Sequence, residues 1–142
     1  MDKLFLDANI FFAAVDSSKG ASRAIFELAK AKKLKLYSCD YAIHEARINI
    51  EDKLGLSSLP LFYTFVSYLT ELYKYKNIDI SEEILSLINQ KDYPVLVSAL
   101  ALKSDFLVSF DRKAFKRKDL VNSLLPIKFL LPGEYLQNFI NR

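Results

Sequence analysis

Apolar residues recur along this chain in two rhythms. Short runs bounded by polar or turn-forming residues occur at Lys3–Leu6, Leu34–Ser38, Ile78–Ile80, Asp105–Phe110 and Ile127–Leu131. Runs of that length read as buried strands. Between them apolar positions return every third or fourth residue, the helical spacing. It predicts a turn of helix over Ile10–Val15, then helices over Ala21–Lys33, Tyr41–Leu54 and Leu59–Lys76. Further helices are expected from Ser81 to Gln90, from Asp92 to Lys103 and from Glu134 onward, with a turn or two over 120–125. Local chemistry supports these limits. Ser38 and Asp40 are good N-cap types, serines precede the helix that begins near Leu59, and Asp92 stands at an N-cap with Pro94 in the first turn. Strands alternating with helices predict an α/β fold, a central parallel sheet of four to five strands sandwiched by helices.

Composition narrows this picture without redirecting it. The 142 residues fit a single domain spanning 1–142, and 51% hydrophobic residues are enough for a core. Eleven Phe and eight Tyr leave room for a partner surface beyond that core. A net charge of +3 tolerates nucleic acid without arguing for it. The lone Cys39 excludes an intramolecular disulfide and a cysteine-built zinc site. No window approaches the ~20 apolar residues that span a bilayer, and no signal peptide is evident, so a cytoplasmic location is expected.

Four acids fall where strands and helices meet. Asp7 and Asp111 follow strands, Glu45 lies about one turn inside the helix after the second strand, and Asp92 begins a helix. Strand ends and following helix starts share one edge of a parallel sheet, where such folds place their ligands. Clustered carboxylates raise one another's pKa unless a cation joins them. Oxygen ligands without Cys or His pairs favour Mg²⁺ or Mn²⁺ over zinc. Such ions promote in-line displacement at phosphorus, so a nuclease is the natural expectation, with Asp7, Glu45, Asp92 and Asp111 as metal-binding and catalytic residues. Asp40, Glu51 and Asp52 compete with Glu45, and helix capping competes at Asp7, Asp92 and Asp111.

Leu6-Asp7-Ala8-Asn9, an internal Glu45, Asp92-Tyr-Pro-Val-Leu and Ser104-Asp-Phe-Leu-Val-Ser-Phe-Asp111 together resemble the PIN-domain ribonucleases. The closing Leu131-Pro-Gly-Glu-Tyr-Leu136 extends the likeness over essentially the whole chain. The resemblance implies a PIN-like fold and a metal-dependent RNA-cleaving site built on the same four acids, with Asn9 and Ser109 in support. Ser109 stands where the family often has Thr; the hydroxyl is kept. Stand-alone domains this short resemble VapC-type toxins, which implies RNA as substrate, a cognate antitoxin as partner, and a homodimer.

Other candidates carry less. His44 neighbours Glu45, but adjacent helical residues point about 100° apart, so a shared target is not expected. Asp105 precedes a strand and is expected to end a turn or to make a supporting contact behind the acids. The basic run Arg112, Lys113, Lys116 and Arg117 follows Asp111 and is a candidate RNA-phosphate contact. The aromatic stripe of 59–75 is mostly core, with width to spare for a dimer or an antitoxin helix. Two alternatives remain: a PIN-like module that binds RNA or protein without cutting, and a ribonuclease of RNA maturation or turnover. An aspartyl-phosphate enzyme with Asp7 as nucleophile fits less well, since Asn9 stands where such enzymes usually have a second Asp.

Overall fold

The structure, a computed structural model, describes residues 1–76, 82, 86, 90–115 and 125–142, with backbone only at 114 and 115. The predicted strand Ile78–Ile80, most of the predicted helix 81–90, the turns at 120–124, and Lys116 and Arg117 lie outside the described residues. The chain forms β1 (Lys3–Leu6), α1 (Ala8–Asp16), α2 (Ala21–Lys30), β2 (Lys35–Cys39), α3 (Asp40–Leu54), α4 (Leu59–Val66) and β3 (Leu69–Tyr73). After a 3₁₀ turn at Gln90–Asp92 come α5 (Tyr93–Ala101), β4 (Phe106–Val108), α6 (Arg112–Phe115), β5 (Lys128–Leu130) and α7 (Pro132–Ile140).

The five strands form one parallel sheet in the order β3-β2-β1-β4-β5. β1 is the middle strand, and Leu4, Phe5 and Leu6 are all fully buried. Successive strand residues face opposite ways, so this unbroken burial means that both faces of the sheet are covered. Helices α1 to α4 pack on one another, α2 also meets α7, and α5 lies against β2. Part of the aromatic surplus is spent here. Phe11 packs on Phe26 at 5.3 Å and on Phe62 at 5.9 Å between ring centroids, and Phe26 stacks on Phe65 at 4.6 Å. All four rings are buried.

The predicted helix Leu59–Lys76 is corrected: α4 stops at Val66, and Leu69–Tyr73 is an edge strand paired with β2. Leu69, Leu72 and Tyr73 fit a helical stripe by spacing. The exposed Leu72, and the pairing that β2 offers, decide for the strand. The serines before α4 do not cap it: Ser58 has helical backbone angles, and its hydroxyl donates to the carbonyl of Leu54. α3 likewise begins after Cys39 without a side-chain cap. α3 ends at Gly55, whose φ of 90° is a conformation that side chains other than hydrogen resist.

The strand order matters for function. From β1 the chain moves outward on one side to β2 and β3, then crosses back past β1 to β4 and β5. The reversal leaves a crevice beyond the carboxyl ends of β1 and β4, the place where open α/β sheets bind ligands.

Candidate active site

Asp7 occupies that crevice. It is the N-cap of α1, and its Oδ1 accepts from the backbone N–H of Ala8 at 2.8 Å. Its own N–H donates to the carbonyl of Val108, locking the end of β1 to β4. The carboxylate is 8% exposed, and Oδ2 accepts from the Ser109 hydroxyl at 2.7 Å. Burial holds its pKa above the usual carboxylate range; the bonds from Ser109 and Ala8 pull the other way, and the charges of Glu45 and Asp111 push it up further.

Ser109 does more than touch Asp7. Its Oγ accepts from the Asp111 backbone N–H at 3.0 Å and from Asn9 Nδ2 at 3.3 Å. Asn9 in turn accepts at Oδ1 from the N–H of Phe110 at 3.2 Å. One hydroxyl and one amide therefore tie the first residues after β1 to the first residues after β4. Asn9 and Ser109, expected from the sequence in support of the acids, both stand in this network.

A pocket of about 310 Å³ opens over this network, and Asp7, Asn9, Glu45, Asp92 and Asp111 all line it. The four acids expected from the sequence are thus brought to one place by four separate segments. Asp92 sits at the N-cap position of α5, with Pro94 in the first turn, but its side chain makes no capping bond. The capping expectation fails there, and its consequence is informative: Oδ2 of Asp92 is buried and meets no hydrogen-bond partner. Burial raises the Asp92 pKa, Asp111 and Asp7 raise it further, and the neighbouring Lys91 lowers it. A buried carboxylate oxygen with no donor is costly, and a cation would satisfy it. The donor set, carboxylate oxygens only, suits a hard divalent cation such as Mg²⁺ or Mn²⁺. Among the described residues, no three His, Cys, Asp or Glu side chains form a group that could hold an ion as they stand.

The remaining candidates separate cleanly. Asp40, rival to Glu45, is occupied elsewhere: its Oδ1 accepts from the N–H groups of Tyr41 and Tyr75 at 2.9 and 3.1 Å. Glu51 pairs with Arg47 along α3. His44 is exposed and lines a different hollow, beside Asp40 and Tyr41. Asp105 accepts from the N–H of Lys3 at the amino ends of the strands, away from the crevice. Cys39 is buried, as its size suggests. Arg112 and Lys113 are exposed in α6, next to Asp111.

Six residues of the pocket wall are not among the candidates the sequence offers: Ala8, Phe12, Asn49, Lys53, Lys91 and Val95. Asn49 and Lys53 follow Glu45 by four and eight positions, so the helical period that placed Glu45 would have found them.

No protein-family model matches the sequence, and no curated protein does either. Among solved structures the chain is similar to one from Rickettsia felis, in the crystal structure of VapBC2 bound to a DNA fragment from their promoter. The alignment covers 91% of this chain and 98% of that one, with a TM-score of 0.62 and 14% sequence identity. The shared architecture is the PIN-like fold expected from the sequence: a five-stranded parallel sheet among helices.

Proposed function

We propose that this chain is a metal-dependent ribonuclease that hydrolyses RNA phosphodiester bonds at the acidic pocket, and that it serves as the toxin of a toxin–antitoxin pair. The observation that carries the reading is the meeting of Asp7, Glu45, Asp92 and Asp111 around one pocket at the crevice of the sheet. Two of these carboxyls are raised in pKa, and one keeps a buried oxygen without a partner. Those four residues would hold Mg²⁺ or Mn²⁺, which when bound supplies Lewis acidity toward a phosphoryl oxygen and toward water. Ser109 fixes the Oδ2 lobe of Asp7, the Ala8 N–H fixes the Oδ1 lobe, and Asn9 holds Ser109 in place. Asp7 thus presents its charge in one orientation. Arg112 and Lys113 supply positive charge for RNA phosphates beside Asp111, and Lys116 and Arg117 follow them in the sequence.

The likeness to a VapBC2 structure supports an antitoxin as partner. Tyr41 and Ile48 on α3, Tyr63 on α4 and Leu72 on β3 are exposed, a supply of apolar surface for that partner or for a second copy in a homodimer. The proposed place of action is the cytoplasm, where RNA and a small antitoxin meet. Among the described residues no helix is long and apolar enough to cross a membrane. Purified protein with Mn²⁺ is expected to cut RNA, EDTA to stop it, and folded Asp7→Asn to be inert. Full cleavage by Asp7→Asn would refute the reading.

A second reading, a PIN-like module that binds without cutting, draws on the spacing of the acids, no three of which form an ion-holding group among the described residues. Calorimetry decides between them: the nuclease binds Mn²⁺ and the module does not.

A further inference from the structure

Two lysines that the nuclease reading leaves unused stand in the wall of the acidic pocket. Lys53 comes from the last turn of α3, and Lys91 from the 3₁₀ turn before α5. Glu45, Asn49 and Lys53 share one stripe of α3, so the helix that offers a carboxylate to the pocket also offers a cation two turns on. The Lys53 ammonium lies 5.6 Å from the ring centroid of Phe12, which lines the same pocket. Among the described residues neither lysine forms an ion pair.

A purely acidic pocket repels a polyphosphate. Lysines serving only to neutralise it would close onto the nearest carboxylates. An aromatic ring acts differently: it holds an ammonium by its face while leaving the full charge and the N–H donors available to an anion.

We infer that Lys53, positioned by Phe12, binds the RNA phosphate next to the one the acids act on. This rests on the reading that the pocket takes an RNA phosphodiester. It deepens that reading by naming the residue that holds the substrate's neighbouring phosphate.

The test is fluorescence anisotropy of an end-labelled single-stranded RNA oligonucleotide titrated with the full chain in EDTA, which withholds divalent cations, over a series of NaCl concentrations. Lys53→Ala is expected to weaken binding roughly fivefold at low salt. It should also reduce the slope of log K against log salt by about 0.7, the signature of one lost phosphate contact on a single strand. Lys53→Arg restores the slope. Phe12→Leu weakens binding but keeps the slope, because the lysine is still present and less well placed. Lys30→Ala, at the end of α2 and outside the pocket, changes neither. An unchanged slope in Lys53→Ala, an equal loss in Lys30→Ala, or no wild-type binding at low salt overturns the proposal; wild-type behaviour in Phe12→Leu overturns the part given to Phe12. Failure of the nuclease reading shows separately, as RNA that survives Mn²⁺ while these binding results stand.

Discussion

Replacing Ser109 by Ala removes one atom that three others depend on. The hydroxyl donates to buried Asp7 at 2.7 Å, and accepts from Asp111 N–H at 3.0 Å and from Asn9 at 3.3 Å. A hydrogen bond to a charged partner contributes about 1.5–3 kcal/mol, and the longer contacts add little. The expected loss is therefore about 2–3 kcal/mol, which for a chain of this size lowers Tm by roughly 6–12 °C. Thermal unfolding followed by circular dichroism in EDTA measures it. The pH dependence has a fixed sign. Asp7 holds its proton more tightly in the folded chain than in the unfolded one, so its ionisation opposes folding. Stability from this group is fullest below the ordinary Asp value of about 3.9 and is lost as pH rises through the folded pKa. The Ser109 bond limits that loss because it favours the charged form. The cost of Ser109→Ala should accordingly be larger toward neutral pH and shrink toward about pH 4, as Asp7 takes up its proton. Ser109→Thr, which keeps the hydroxyl, should recover most of the stability. A cost below about 0.5 kcal/mol, or one that does not change with pH, would refute this account of Asp7.

The other predictions concern charge, backbone and core. Asp92→Asn removes a carboxylate whose pKa is raised by burial, so in EDTA at neutral pH the variant should melt higher than the parent, with the gap closing in acid. With Mn²⁺ the same variant should cut RNA at least about a hundredfold more slowly, read from cleavage of a labelled oligonucleotide. Gly55→Ala forces a side chain into φ 90° and should cost about 1 kcal/mol or more in a denaturant titration, although the space around it is empty. Phe62→Ala, at a fully buried ring packed on Phe11, should cost about 3–5 kcal/mol by the same method.

The parts of the fold that the sequence made legible are those where burial is complete. Residues 4–6 of β1 and all of β4 are unbroken apolar runs because both their faces are covered, and α5 reads as small and apolar because six of its nine residues are buried. β3 was misread for the opposite reason. At the edge of the sheet three of its five residues are exposed, so it carries no run of apolar residues, and its leucines and tyrosine fit a helical period by coincidence. The four acids could be ordered along the chain from motif positions, and Asp7 and Asp111 could be placed at strand ends. The sequence could not tell that Asp92 forgoes its cap, because that depends on where the pocket lies relative to the first turn of α5. Lys53 and Lys91 escaped notice because lysine is ordinarily a solvated surface residue, and only a shared wall distinguishes these two.

The wiring of the pocket also determines when a growing chain can first bring its four acids together. Asp7 is fixed by Val108 and Ser109, about a hundred positions later in the chain. Glu45 and Asp92 gain their common purpose only when β4 has taken its place beside β1. A nascent polypeptide that has not yet released Asp111 from the ribosome has scattered acids and no assembled pocket. For a protein whose proposed substrate is RNA, the message and the ribosome that make it meet the assembled acids only after β4 and Asp111 have emerged.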